Sequence, residues 1–188
     1  QAGLVNNLND GLAWGVLPLV FAAAGLSLRQ IGFIAGIYPG VWAITQIATG
    51  ALSDSGRSPG VRGKWISWGM LVQAIALGMF ALTRGFGPWV VAASLLGLGT
   101  AAVYPVLLAQ VADSVPPTDR APAVGTYRLW RDLGYVVGAV VAGVFADWMG
   151  YRAAIIATAV ITAFSAIAAA LLLRPASRME TRFSFPNE

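Results

Sequence analysis

The sequence predicts an all-α membrane protein with six transmembrane helices, and two observations lead to this fold class. Of its 188 residues, 57% are hydrophobic and only 11% are charged, a balance too apolar for a soluble domain to bury in one core. Six apolar stretches of about 20 residues, the length of a helix that crosses a bilayer, follow one another with short breaks. Because these stretches lack polar alternation, we expect helices rather than the strands of a transmembrane barrel.

The six spans are expected to form one bundle over 1–173, followed by a cytoplasmic C-terminal tail at 174–188. The spans are placed at 4–25, 30–52, 65–83, 88–112, 123–147 and 152–173. Breaks such as "SDSGRSPGVRGK" and "DSVPPTDRAP" contain the glycine, proline and charged residues that are typical of interfacial turns.

Composition excludes most enzyme chemistries. The chain has no cysteine and no histidine, which excludes thiol nucleophiles, disulfides, Cys/His metal sites and histidine bases. The only lysine is Lys64, so an intramembrane enzyme is poorly supported, and we predict no catalytic residue, no metal site and no cofactor. The basic residues behind the net charge of +4 are scattered singly between apolar spans, which argues against a nucleic-acid partner.

The scattered basic residues orient the chain in the membrane. One set of loops, together with the start of span five and the tail, contains nine of them: Arg57, Arg62, Lys64, Arg120, Arg128, Arg131, Arg174, Arg178 and Arg182. The other set contains Arg29, Arg84 and Arg152. Because loops rich in lysine and arginine stay in the cytoplasm, we expect a multi-pass protein of the inner (plasma) membrane with both termini cytoplasmic.

Span one contains a carboxylate inside an apolar run. Helical spacing places Asn6, Asp10 and Trp14 on one face, and Asn7 widens the polar patch. A charge within the bilayer is costly unless it faces a partner or water. This face is therefore a candidate substrate or proton pathway; the alternative is that Asp10 lies near the cytoplasmic interface and pairs with a basic group.

Span two offers two further pathway candidates, Tyr38 and Gln46, although polar groups in membrane helices also serve helix packing. It ends in "GALSDSGR" at 50–57, whose candidate gate residues are Gly50, Leu52, Asp54, Gly56 and Arg57. A carboxylate beyond a helix end can accept hydrogen bonds from the exposed amides of a neighbouring helix N-terminus. Asp54 could therefore act as a latch, and the alternative is a solvated turn.

Span five begins with "YRLWRDLGY" at 127–135. Arg128 and Asp132 are four residues apart and can pair on one helix face, beside a stripe of Arg131 and Tyr135. An arginine fork can bind a carboxylate or phosphate, which indicates a gate or a contact with an anionic substrate. The alternative is an interfacial ion pair that extends toward the lipid headgroups.

The remaining small and polar residues are assigned to packing. Gly134 and Gly138 in span five have the spacing that lets two membrane helices touch. Tyr104 and Gln110 in span four could face a pore, but packing is the preferred interpretation. The ends of spans two and five also echo each other, since "GALSD" and "GVFAD" place aspartates half a chain apart, a pattern of inverted-topology repeats.

Several of these segments together resemble the major facilitator superfamily (MFS). "GALSDSGR" is similar to its loop signature G-x-L-[AS]-D-R-x-G-R-[KR], with serine at position 55 where arginine is usual and one residue fewer before Gly56. "GLVNNLNDGLAWGVLP", "IYPGVWAITQIATGALSD", "LLGLGTAAVYP" and "VGTYRLWRDLGYVVGAVVAG" also look like bacterial members. The resemblance implies half of a twelve-helix fold, made of two inverted three-helix repeats, and "YRLWRDLGY" favours the second half, helices seven to twelve.

The resemblance also implies a function. A small-molecule substrate would pass between this bundle and the other six-helix half of the same transporter, driven by a proton or other gradient, with glycine spacing in span five that hints at export. Asp54 would then dock on a helix of the other half, with Arg57 as its local charge partner. The alternative is a non-transporting membrane scaffold or regulatory subunit.

Overall fold

The computed structural model describes residues 1–55 and 59–173. Within these ranges the chain is helical and contains no strand, which confirms the all-helical prediction. The α-helices are α1 (Ala2–Gly15), α2 (Leu17–Ala23), α3 (Leu28–Ser55), α4 (Pro59–Leu82), α5 (Phe86–Asp113), α6 (Arg120–Met149) and α7 (Tyr151–Leu172), with a short 3-10 turn at Pro117–Asp119 before α6.

The first expected span is divided into two helices. The structure ends α1 at Gly15 and begins α2 at Leu17, with Val16 between them. Pro18 lies in the first turn of α2, and its missing N–H and fixed φ explain why one helix ends and another begins here. Five helices of the described ranges, α3 to α7, are long and apolar enough to cross a membrane.

The expected loop between spans two and three is much shorter than its sequence indicates. The structure extends α3 to Ser55 and begins α4 at Pro59, whereas the turn signals place the loop at 53–64. Proline is favoured at the first position of a helix because the N–H that it lacks would have no partner there. Arg62 then lies within α4 and donates to Asp113 Oδ2 at the end of α5 over 2.6 Å.

Glycines allow close contact between helices, and two of these crossings have the same geometry. A Cβ added at Gly11 of α1 would lie 2.7 Å from the Tyr135 carbonyl oxygen of α6, and one at Gly97 of α5 would lie 2.5 Å from the Tyr38 carbonyl oxygen of α3. In both cases the amide nitrogen four residues later on the partner helix is also close. Both distances are shorter than a real Cβ contact, so each crossing requires glycine.

The α1–α6 contact also uses the glycine pair in α6. A Cβ at Gly134 would overlap the Leu4 carbonyl oxygen, and one at Gly138 would overlap the Leu8 carbonyl oxygen. The prediction that this pair lets two helices touch is confirmed. The close approach brings the polar residues of α1 against the middle of α6, where the candidate site lies.

The core is apolar at both ends of the bundle. Leu12, Phe21, Leu77 and Leu96 belong to one buried cluster, while Ile66, Met70 and Val106 belong to another. Large side chains also point outward, among them Ile44 and Ile47 on α3 and Phe164 on α7. Apolar side chains both inside the bundle and on its outer surface fit helices that are surrounded by lipid.

Candidate functional site

Four of the five side chains at positions 6–10 of α1 are polar and lie inside the bundle. The exposed fractions are 2% for Asn6, 1% for Asn7, 1% for Asn9 and 1% for Asp10. Polar groups within a membrane bundle are costly unless they find partners. Their hydrogen-bond partners come from four other helices, α3, α4, α6 and α7, and fall into two clusters.

The first, here called the amide cluster, consists of Asn6, Asn9, Gln73 and Thr162 and joins α1 to α4 and α7. Asn9 Nδ2 donates to Gln73 Oε1 over 2.7 Å, and Gln73 Nε2 donates to Asn6 Oδ1 over 2.9 Å. The Thr162 hydroxyl donates to Asn9 Oδ1 over 2.7 Å. Each of the three carboxamides therefore both donates and accepts, and Asn6 Nδ2 continues to Asn7 Oδ1 over 3.3 Å.

The second, here called the charged cluster, consists of Asp10, Tyr38, Thr100, Tyr104, Arg131 and Asp132. At its buried end, the Tyr38 hydroxyl donates to Asp10 Oδ1 and lies 3.3 Å from Thr100 Oγ1. The cluster thus begins where α1, α3 and α5 meet. Arg131 also interacts electrostatically with the Asp10 carboxylate.

The outer end of the charged cluster is an arginine held between a ring and a carboxylate. The Arg131 guanidinium carbon lies 4.6 Å from the ring centroid of Tyr104, within the range of a cation–π contact. Arg131 Nη2 and Nε donate to Asp132 Oδ1 over 2.7 and 2.9 Å. Asn7 Nδ2 donates to the same oxygen over 3.2 Å and so connects the two clusters.

Aromatic rings line the charged cluster in a continuous row. The ring of Tyr38 lies 5.8 Å from that of Trp14 and 6.2 Å from that of Trp42, and Trp42 meets Tyr104 edge-on at 5.6 Å. This aromatic row runs from α1 across α3 to α5. Such a surface can stack against an apolar or aromatic molecule and still offer polar atoms at its edges.

The charged cluster and the aromatic row beside it leave several buried polar atoms without a hydrogen bond in the described part of the chain. They are Asp10 Oδ2, Trp42 Nε1 and Arg131 Nη1, although the Tyr135 hydroxyl lies close to the Asp10 carboxylate. Unsatisfied buried atoms are uncommon in proteins, and each one indicates a missing ligand, water or partner. One acceptor and two donors on neighbouring helices together make a site that could bind a polar molecule.

The predicted pathway residues differ in depth. Asn6, Asn7 and Asp10 are buried, whereas Trp14 is 49% exposed and the Asp132 side chain is 49% exposed. Tyr135 is exposed to 37%, and Gln46 is partly buried on α3. The site therefore passes from a buried carboxylate to an open rim, and the helical face expected from the spacing is only partly accessible.

The expected pair of Arg128 and Asp132 is replaced by another. Asp132 accepts hydrogen bonds from Arg131, and the Arg128 side chain is exposed. The physical reason is burial, since Arg131 is only 6% exposed and needs a counter-charge more than a solvated arginine does.

The loop motif lies at the edge of the described residues. Gly50 and Leu52 lie in the last turns of α3, and the backbone of Asp54 is helical. Gly56 and Arg57 lie outside the described residues, as does the tail. The latch and its charge partner therefore stay a prediction.

Sequence reasoning missed Gln73 and Thr162, and for Tyr104 it preferred a packing role to a position facing a pore. Gln73 is fully buried and holds two asparagines. Its signal was available, because it is the only polar residue between Trp68 and Thr83 and polar residues are rare in spans. Thr162 carried no comparable signal, since threonine is common in membrane helices.

Comparison with known proteins places these observations in a family. The family model of the Major Facilitator Superfamily matches residues 2–186. An uncharacterised MFS-type transporter of Salmonella typhimurium is 27% identical over 108 residues, which are 57% of this chain and 28% of that protein. Citrate exporter 1 of Aspergillus niger is 28% identical over 137 residues, or 72% of this chain and 24% of that protein.

A third relative, an efflux pump of Gibberella fujikuroi, is 33% identical over 98 residues, which are 48% of this chain and 18% of that protein. The chain thus spans less than a third of the length of each of these curated relatives.

Proposed function

The chain belongs to the Major Facilitator Superfamily, and from this premise we propose that it forms helices seven to twelve of a secondary transporter. The transporter moves a small molecule across the inner membrane by alternating access, with the substrate passing between this bundle and the other six-helix half. Both termini of this half face the cytoplasm. The relatives named as exporter and efflux pump favour export.

One observation carries the proposal: the charged cluster and the aromatic row converge on one side of the bundle and open to its surface. Asp10 is buried at the inner end, and Trp14 and Asp132 are half exposed at the outer end. A surface with stacking rings, a guanidinium and an unsatisfied carboxylate oxygen suits a wall of a substrate cavity. An enzyme would instead need a nucleophile and a base, which composition disfavours.

The two glycine crossings support an arrangement of two inverted three-helix repeats. One crossing joins α1 to α6 and the other joins α5 to α3. In an inverted repeat, α1 corresponds to α5 and α3 to α6, so each crossing is the counterpart of the other. In each one, a glycine meets a tyrosine carbonyl and the amide that follows four residues later. Repeats related by a two-fold axis in the membrane plane bind substrate near the bilayer midplane, which is where alternating access needs it.

Asp10 is the group best suited to couple transport to a proton gradient. It is an acid within reach of Tyr38, Tyr135 and Arg131, and its protonation would release the hold of these groups on the site. Neutral and charged forms of the site then favour different conformations, which links proton binding to substrate binding.

The test is transport by the full-length parent in proteoliposomes under an imposed pH gradient, with a panel of candidate substrates. We expect gradient-driven flux in the wild type, and Asp10→Asn should lose gradient-driven accumulation while keeping substrate exchange without a gradient. Asp119→Asn is the matched control, because it neutralises an exposed aspartate that lies in the turn before α6 and outside both clusters. Equal accumulation in Asp10→Asn would contradict the coupling role, and absence of flux under every gradient would favour a non-transporting scaffold.

The loop at 50–57 supplies a second test of the same mechanism. As a latch, Asp54 would hold the cytoplasmic side closed by docking on the other half, and a few kcal/mol are enough to shift a two-state equilibrium. We expect Asp54→Asn to shift the population toward the inward-open state, measured by spectroscopic distances between the two halves. An unchanged distribution would leave Asp54 and Arg57 as a solvated turn.

A further inference from the structure

A cavity lies at one end of the bundle. The ion pair of Arg62 and Asp113, which joins the start of α4 to the end of α5, lies at the opposite end. The cavity has a volume of about 580 Å³, within the range of cavities that bind small molecules. The cavity lies where α2 and α4 end and α5 and α7 begin. Its wall includes Arg84, Arg152, Tyr151 and Trp89.

The charged side chains that line this cavity in the described part of the chain are all positive. Arg84 and Arg152 both line the cavity, and no aspartate or glutamate is found among the described residues that do so. Neither arginine forms an ion pair within the described part of the chain. Two of the three basic residues that charge counting assigns to this side of the membrane are therefore gathered at one cavity.

The helix ends do not provide this charge. Two helices end at the cavity and two begin there, so their dipoles oppose one another. The net positive charge comes from the two guanidinium groups, which remain ionised and present planar sets of donors. Such groups bind carboxylates and phosphates through charge-assisted hydrogen bonds.

The deeper part of the wall is apolar, and it includes Val20, Phe80 and Ile155. Trp89 is only 2% exposed and packs on Phe21 with 4.8 Å between ring centroids. Its indole Nε1 is buried without a hydrogen-bond partner in the described ranges. The lining thus combines a cationic rim with an apolar floor.

We propose that this arginine cavity binds an amphiphilic organic anion. Its carboxylate or phosphate group lies at Arg84 and Arg152, and its apolar body lies against Phe80 and Trp89. The ligand is either a free organic anion or the headgroup region of an anionic lipid, since both offer this chemistry. Arg84 and Arg152 cannot be replaced by neutral residues without loss of the anion contact.

This site is separate from the charged cluster. Leu12, Val16, Leu17 and Phe21 follow Asp10 along α1 and α2, and all four are buried in the apolar core. An apolar layer therefore divides the arginine cavity from the proposed substrate wall. Binding here does not depend on transport, so it is measured at equilibrium without a gradient.

The experiment uses the full-length parent in nanodiscs of phosphatidylcholine and ω-bromooctanoate as the probe, because bromine quenches tryptophan fluorescence on contact. We expect saturable quenching that weakens roughly tenfold or more in apparent Kd when Arg84→Gln and Arg152→Gln are combined. Arg29→Gln is the matched control, since Arg29 is a basic residue expected on the same side that does not line the cavity. The neutral ω-bromooctanol should quench weakly and equally in all variants.

Equal affinity for ω-bromooctanoate in the double variant, or equal saturable binding of ω-bromooctanol, would overturn the proposal. Trp89→Phe should remove most of the saturable quenching, and undiminished quenching would place the probe elsewhere and overturn it as well. Thermal unfolding midpoints verify that each variant is folded.

The two sources of the anion are separated by adding phosphatidylglycerol to the nanodiscs. A lipid headgroup in the cavity would compete with the probe in the wild type, and this competition would disappear in the double variant. Probe affinity that responds to phosphatidylglycerol equally in both proteins supports a free organic anion. In both cases the loss of probe affinity in the double variant is still expected.

Discussion

The amide cluster and the charged cluster share helix α1, yet they treat their polar atoms differently. In the amide cluster, every carboxamide of Asn6, Asn9 and Gln73 both donates and accepts a hydrogen bond. In the charged cluster, Asp10 Oδ2 and Arg131 Nη1 are buried without such partners in the described residues. One cluster is complete within the bundle, and the other retains capacity for a ligand, water or a proton.

Buried polar groups therefore serve two purposes in one bundle. A fully satisfied network holds α1, α4 and α7 in one arrangement, because any movement would break several buried hydrogen bonds together. A partly satisfied buried network costs stability, so it is a candidate for a site that a ligand, water or partner completes. The two clusters meet at Asn7, which connects them through Asn6 and Asp132.

The largest effect is expected from Arg131→Lys, which breaks the charged cluster alone. Lysine cannot present a planar fork to Asp132 while stacking on Tyr104, so we expect transport by the full-length parent to fall roughly 10- to 100-fold. Membrane abundance and unfolding temperature should stay near those of the wild type. Arg128→Lys is the matched control, because Arg128 lies on the exposed side of the same helix. Unchanged transport in Arg131→Lys would show that Arg131 and Asp132 form an ion pair without a role in transport.

A smaller effect, on stability, is expected from Gly138→Ala. The added Cβ would overlap the Leu8 carbonyl oxygen, which pushes α6 away from α1 and should cost about 1 to 3 kcal/mol in the free energy of unfolding. Gly143→Ala is the control, because a Cβ there meets nothing within 4 Å. Unfolding in a denaturing detergent measures both, and equal stabilities would contradict the close crossing.

The smallest effect is expected from Gln73→Leu, which breaks the amide cluster and leaves the charged cluster intact. It removes the partners of Asn6 Oδ1 and Asn9 Nδ2, at a cost of about 1 to 2 kcal/mol of unfolding free energy, because hydrogen bonds in membranes are modest. Gln110→Leu is the control, since the side-chain oxygen of Gln110 has no hydrogen-bond partner within the described residues.

In Gln73→Leu, the unfolding free energy should fall while transport stays unchanged. Specific transport per folded molecule should be retained in Gln73→Leu, in contrast to Arg131→Lys. A loss of transport as large as that of Arg131→Lys would show that the two clusters work as one site and would remove the distinction between them.

Some features of the site were readable in the sequence because their signals are local. A carboxylate in an apolar run identifies Asp10, and two glycines four residues apart identify the packing face of α6. The helix boundaries near Val16 and Ser55 were less readable, since a proline can end a helix or begin one. The partners of Asp132 were not readable, because both arginines of "YRLWRD" could reach it.

By itself, the sequence determined that the chain is a bundle of membrane helices and which side chains are too polar to face lipid. Composition and periodicity suffice for this, since the bilayer requires long apolar helices and penalises every unpaired charge. Which polar groups satisfy one another and which keep an open hydrogen-bonding position became clear from the packing of the helices. That division depends on distances between helices far apart in the chain, where Gly11 and Gly138 bring α1 against α6 and Gln73 reaches two asparagines from α4.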